Sequence, residues 1–290
     1  MIAPPNIFDR DLHRRRLDRA ATTQSRANFL HVRAARDLAA RLMMVRRSFP
    51  LALELGARHG AFAAALAEIG GQKIGLLIET GLSAPMLGER LRHQMVMDEQ
   101  RLAVAEEALD VVVSALSLHW TNDLVGALIQ IRRSLKPDGL LLAALLGGST
   151  LTELRQVLMA AELELLGGAS PRISPFVDAP DGAALLQRAG FALPVADVDT
   201  VKVRYDQPLE LLADLRAMGE TGVLAERPRP LRRAVLARAI ELYFERFSGP
   251  DGRISATFEI VTLTGWAPGS DQSRPAGAGR SSEPRRVFRG

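Results

Sequence analysis

Cysteine is absent from the 290 residues, which excludes disulfides and thiolate metal sites and makes a reducing compartment the simpler assumption. No apolar run approaches the roughly 18 residues needed to span a bilayer, and the N-terminus lacks the apolar core of a secretory signal. The expectation is a soluble, cytoplasmic protein with no transmembrane segment. Histidine is scarce: His13, His31, His59, His93 and His119 include no H-x-x-x-H pair and no carboxylate at metal spacing, so no metal site is expected. The glycines are not followed by the Lys-Ser or Lys-Thr of a phosphate-binding P-loop, and they fit the G-x-G-x-x-G of nicotinamide binding poorly. No internal repeat is present.

Positive charge is unevenly spread. Residues 1–50 hold eleven arginines against four aspartates, and residues 267–290 hold five arginines against two acids. With a formal net charge of +4 for the whole chain, the middle is mildly acidic. A nucleic-acid footprint needs clustered Lys and Arg on the folded surface, so none is expected on the core. The basic N-terminal segment reads as a solvated helical face, with transient contact to a membrane surface or another anionic partner as the alternative.

The hydrophobic content of 47% is ample for a core. The chain is organised around PLALELGARHGAF at 50–62. Leu51–Leu55 reads as a buried strand, Gly56 and Gly60 as a tight turn, and Ala61–Ala67 as a helix start. Such a junction aims unpaired backbone N–H groups at whatever lies in the turn. Before it, Asp9–Arg47 has helical composition without glycine or proline and reads as one or two helices lying over the domain, and Pro50 is expected to end the helical stretch. After it, apolar runs at 73–78, 94–97, 109–115 and 140–146 read as strands. Those at 73–78 and 94–97 run into Glu79 and Asp98, and the run at 109–115 leads to Ser117. A parallel α/β sheet binds ligands outside such carboxyl ends, and Glu79, 19 residues past Gly60, stands where a doubly wound sheet holds a ribose. Helices are expected at 125–135, 152–166, 182–189, 208–218 and 231–247, and strands at 193–204 and 258–264. The Gly-, Pro-, Ser- and Arg-rich tail at 267–290 cannot order itself. The expected organisation is a basic helical segment at 1–49, an α/β domain at 50–266 with a helical insertion at about 151–192, and the tail.

ELGARHG at 54–60, Glu79, Asp98, LDVVVSALSLHW at 109–120 and LKPDG at 135–139 resemble the class I S-adenosylmethionine methyltransferase superfamily. LGGSTLTELR at 146–155, SPRISPFVD at 170–178, TLTGW at 262–266 and IFDRDLHRRR at 7–16 are similar to the arginine hydroxylase and assembly factor family of respiratory complex I. A looser likeness is to the malonyl-carrier-protein methyltransferases of biotin synthesis. The resemblance implies a Rossmann-like, seven-stranded, mostly parallel sheet with helices on both faces and S-adenosylmethionine as cofactor. It implies that Glu54, Gly56, Ala57 and Gly60 hold the methionine part, with Ala115, Leu116 and Ser117 lining it. Glu79 with Thr80 would hold the ribose, and Asp98 with Glu99 the adenine side. Many relatives have a further glycine where this chain has Arg58; a position needing positive φ, or touching the ligand, would oppose arginine.

The expected function is an S-adenosylmethionine-dependent enzyme acting on a protein or carrier-bound substrate, with His119 as a candidate general base. The family resemblance implies two alternatives. One is hydroxylation of an arginine on an iron–sulfur subunit of complex I. The other is a non-catalytic assembly chaperone.

Overall fold

The computed structural model describes residues 6–70, 72–88 and 93–269. Seven strands form one sheet: β1 Phe49–Leu55, β2 Ile74–Gly81, β3 His93–Val96, β4 Leu109–Ala115, β5 Leu135–Leu146, β6 Ala192–Tyr205 and β7 Ile254–Trp266. Their spatial order is β3-β2-β1-β4-β5-β7-β6. The first five are mutually parallel; β7 runs antiparallel to both β5 and β6. The chain reverses direction across the sheet at the β1–β4 boundary, where an open α/β sheet leaves a crevice at its carboxyl edge.

Strand β4 is central because LDVVVSA can be buried on both faces. Val111 and Val113 enter one hydrophobic cluster with Leu38, Phe49 and Phe258, and Val112 enters the other with Leu53, Leu141 and Leu263. The period of two along the strand thus divides the core between the two layers of helices. Edge strand β6 alternates in burial, and its Asp197 and Asp199 take arginines from a helix, Arg41 and Arg33. Charges along an open edge discourage further strand pairing.

The N-terminal segment forms α1 Arg10–Ala20 and α2 Phe29–Met44 rather than one continuous helix. Thr23 donates its hydroxyl to Ala20 O, a local bond that competes with helix continuation. The second helix ends at Met44, before Pro50, which lies inside β1. Then come α3 Ala61–Ile69, the short α4 Ala84–Leu87 and α5 Leu124–Ser134. The segment after β5 supplies α6 Thr152–Leu166 and α7 Ala179–Arg188; α8 Pro208–Met218 and α9 Arg233–Phe247 separate β6 from β7. The expected order therefore holds, with short α4 added. Of the tail, residues 267–269 are packed: Ala267 is buried and bonds with Gly139 and Asp138. Residues 270–290 lie outside the described residues.

Candidate functional site

At the end of β1 the chain turns through Gly56 (φ 70°) and reaches Gly60 (φ 63°), which caps α3. A Cβ on Gly56 would lie 2.1 Å from Ser117 Oγ, so both conformation and space require glycine there. Two non-glycine residues nearby also take left-handed backbone, His59 (φ 46°) and Leu116 (φ 54°). Each such residue costs on the order of 1–3 kcal/mol and persists only where its surroundings fix it. Here His59 N–H bonds Met86 O at 3.1 Å and Leu116 N–H bonds Ala144 O at 2.9 Å. Arg58 itself has no positive φ. The strained position falls one residue later, so the backbone does not oppose arginine, although Arg58 does line a hollow beside the turn.

The strand ends bring several expected residues together. Glu54 and Glu79 are register partners across β1 and β2, as are Leu55 and Thr80. Thr80 donates its hydroxyl to Glu54 O, and Ala57 N–H bonds Thr80 O, both at 2.8 Å. Glu79 is fully enclosed, with Gln94 Nε2 donating to it at 3.0 Å. Ser117, past the end of β4, donates to Glu99 Oε1. Gly56, Ala57, Glu99 and Ser117 line this hollow together with Arg58; Glu54, Gly60, Glu79, Thr80, Asp98, Ala115 and Leu116 do not line it.

That hollow is closed to about 10 Å³. Helix α1 lies over it, with Leu17 packed against Met86 and Ser83 donating to Asp18 at 2.6 Å. Arg10, the first residue of α1, turns inward. Its guanidinium donates to Asp98 at 2.8 Å, to Glu99, and to Trp120 O at 3.0 Å. Burial opposes its charge, but Glu99 and Asp98 outweigh that and raise its pKa. On the outer side of Arg10 an open cleft of about 850 Å³, bounded also by Asn122 and Gln130, leaves Asp98 reachable.

Behind the hollow lies a buried polar network centred on Glu220, which follows α8. Its Oε1 accepts from Arg58 at 2.8 Å and its Oε2 from Trp120 Nε1 at 2.8 Å. His119 Nε2 stands 3.3 Å from Oε2, while its Nδ1 accepts from Leu146 N–H at 3.4 Å. With Nε2 donating, both ring nitrogens of His119 are engaged inside the fold, so it orients Glu220 rather than facing the hollow. Arg58 also donates to Met218 O at 2.8 Å, tying the glycine turn to the end of α8. Burial alone would raise the Glu220 pKa; the charge of Arg58 and the bond from His119 hold it well below its usual value. Trp120 packs with Phe8 and Val223 as core. His59 and His119 do not converge: His59 Nε2 meets Ala21 O at 3.0 Å.

His13 and His31 adjoin this network and are fully buried. Burial first, then the charges of Arg10 and Arg58, push His13 well below its ordinary pKa; burial and Arg58 lower His31. Both are neutral in the fold, whereas in the unfolded chain they take up protons below about pH 6.5. The unfolded state then binds more protons, so stability present above that pH is lost as pH falls through it. Melting temperature should be level from about pH 8 to 7 and fall from about pH 6.5 to 5. The fall should shrink in a His13→Gln, His31→Gln variant. An equal fall in that variant would place the titrating groups elsewhere.

Residues 53–143 match the family described as Methyltransferase domain. The chain is 39% identical over 284 residues to "Arginine-hydroxylase NDUFAF5, mitochondrial" of Danio rerio, covering 96% of this chain and 88% of that protein. This chain belongs to the NDUFAF5 family. It is also 31% identical to the malonyl-[acyl-carrier protein] O-methyltransferase of Methylovorus, across 96% of this chain and 95% of that one. A provisionally assigned methyltransferase from Bacillus halodurans shares the fold, with a TM-score of 0.54 at 15% identity over 79% of this chain and 98% of the other. The chain thus has the fold of the class I methyltransferases, and the relatives it matches along nearly its whole length are named as enzymes. The cytoplasmic expectation is overturned: the NDUFAF5 relative is described as mitochondrial. No described helix is long and apolar enough to cross a membrane, and among the described residues no group of three acids or histidines is placed to hold a metal ion.

Sequence reasoning did not find Arg10, Glu220, His13 or His31 as parts of one site. Arg10 sits in the IFDRDL segment, whose only signal was family resemblance. Glu220 follows the helix-ending Gly219 and carries no local signature.

Proposed function

We propose that this protein is an S-adenosylmethionine-dependent enzyme acting on a protein or carrier-bound substrate. The observation that carries this reading is the convergence of Gly56, Glu99 and Ser117, at the carboxyl edge of the sheet, on one hollow beneath α1. The donor set suits the cofactor in kind. Gly56 lets Ser117 approach the turn more closely than any side chain would allow, and carboxylates suit both a nucleoside and a cationic amino acid. Glu79 and Thr80 would hold the ribose, Asp98 and Glu99 the adenine side, and Glu54, Gly56, Ala57 and Gly60 the methionine part. Ala115, Leu116 and Ser117 would complete that wall. When bound, the cofactor supplies an electrophilic methyl group.

The chain's own residues do the rest. Arg10 and Leu17 exclude water from the hollow, so α1 must swing away for loading, with the cleft beside Asp98 as the entry side. Arg58, clamped by Glu220 and Met218 O, fixes the backbone of the glycine turn, and His119 and Trp120 hold Glu220 in place. His119 is therefore a positioning residue. Alignment of a nucleophile against the reacting group is the main contribution such a site makes.

The likeness to the arginine hydroxylase over 96% of the chain favours a second reading, in which the product is a hydroxylated arginine on an iron–sulfur subunit of complex I. Incubation of the enzyme with S-adenosylmethionine, dissolved dioxygen as oxygen source and a two-electron reductant, and either a carrier-bound malonyl group or that subunit, followed by intact mass measurement, separates the two. The expected result is a gain of one methylene on one client. A gain of one oxygen establishes the hydroxylase reading, and an unchanged mass on every client overturns both in favour of a chaperone.

A further inference from the structure

Across most of the described surface, arginines are matched to acids: Arg33 with Asp199, Arg36 with Glu68, and Arg238 with Glu164, Glu241 and Glu245. One face departs from this. Leu12, Arg16, Arg19 and Thr23 follow one another at helical spacing along the outer side of α1 and its end, toward α8 and the segment after it. Arg16 forms a shared wall between two cavities there. One, of about 330 Å³, is lined also by Arg227 and Arg229, and the other, of about 430 Å³, by Arg19 and Arg216. No carboxylate lines either. Arg16, Arg19, Arg216 and Arg229 have no acidic partner among the described residues, and Arg227 reaches Asp9 only at 3.6 Å. Burial and the charges of Arg19 and Arg227 lower the Arg16 pKa, as expected of cations crowded without a counter-charge.

We infer that this arginine-lined groove is a docking site for an acidic, amphipathic segment of a partner protein. The walls between the arginines are apolar: Leu12, Leu224 and Leu231 line the smaller cavity. A segment presenting carboxylates along one edge and leucine-like side chains along another would satisfy both sets of groups. No aromatic residue lines either cavity, so the groove lacks the stacking platform of a single-stranded nucleic-acid site. Its apolar residues line concavities rather than project, unlike the Trp, Phe and Leu that a membrane-surface helix inserts. The inference goes beyond the proposed function, since it holds whichever group is transferred.

The test is fluorescence anisotropy of the full chain with three probes: a labelled peptide of alternating glutamate and leucine turns, phosphatidylserine-containing vesicles, and oligouridylate. The peptide should bind in preference to the other two and weaken with salt. Arg16→Glu with Arg229→Glu should weaken it by at least about tenfold, and Arg19→Gln with Arg216→Gln by a smaller factor. Arg238→Glu, on α9, which lines neither cavity, should stay within about twofold. Peptide affinity unchanged in both groove variants would overturn the inference. So would vesicles or oligouridylate binding as tightly as the peptide with the same sensitivity to those substitutions. If the charge-reversed pair does not fold, the glutamine pair alone decides the outcome by the same comparison.

Discussion

Glu220→Ala is expected to lower the unfolding free energy by about 3–5 kcal/mol, because it leaves the buried Arg58 guanidinium without its counter-charge. The Arg58 and Glu220 side chains are 4% and 3% exposed, so water cannot substitute for the lost carboxylate. Trp120 Nε1 and His119 lose their acceptor in the same step, and buried donors left unmet add to the loss. Arg58→Met alone should produce a comparable drop. The double variant Arg58→Met, Glu220→Ala should lose less than the sum of the two single variants, since it leaves no buried charge uncompensated, although Trp120 Nε1 and His119 still lack their acceptor. Chemical denaturation of the four proteins forms a double-mutant cycle. Losses in the single variants that simply add in the double would mean the pair is not coupled as its geometry implies.

A second large effect is expected at Glu79. Calorimetry with S-adenosylmethionine should show binding to the wild type and none within reach for Glu79→Ala. Two charge-assisted hydrogen bonds at about 1.5–3 kcal/mol each correspond to a loss of about a hundredfold or more. Arg10→Met should shift affinity the other way. The guanidinium holds Asp98 and Glu99 in the closed arrangement, and the apparent dissociation constant scales inversely with the fraction of open molecules. Releasing α1 therefore tightens apparent binding even though no contact to the ligand is added. Equal affinities for wild type and Glu79→Ala, with melting temperatures unchanged, would remove Glu79 from the cofactor site. Weaker binding by Arg10→Met would make Arg10 a ligand rather than a latch.

The elements that the residues alone delimited are those with local punctuation. Thr152–Leu166 and Pro208–Met218 were legible to the residue, because Gly167 and Gly219 stop them in left-handed backbone and Pro208 starts the second. Leu109–Ala115 was equally plain, since a run of apolar, β-branched residues can only be a strand buried on both faces. The helix over α7 was set three residues late at its start, where Asp178 holds the N-cap position without a side-chain capping bond and Pro180 lies in the first turn. The composition of Asp9–Arg47 allowed one helix or two but did not place the break between α1 and α2, because that break uses neither glycine nor proline but a threonine hydroxyl.

Within the site, the turn glycines and the acids at the ends of β2 and β3 were determined by the sequence, because a strand end, a tight turn and a helix start each leave a mark within a few residues. What fills the space between them was decided only in three dimensions. Arg10 meets Asp98 across 88 residues of chain, and Arg58 meets Glu220 across 162. No periodicity or spacing records such a pairing, since an ion pair needs only that two charges end close together. The order of strands and helices is therefore written locally. Which charge neutralises which, and so whether the hollow stands open or shut, follows from packing α1 and α8 onto the finished sheet.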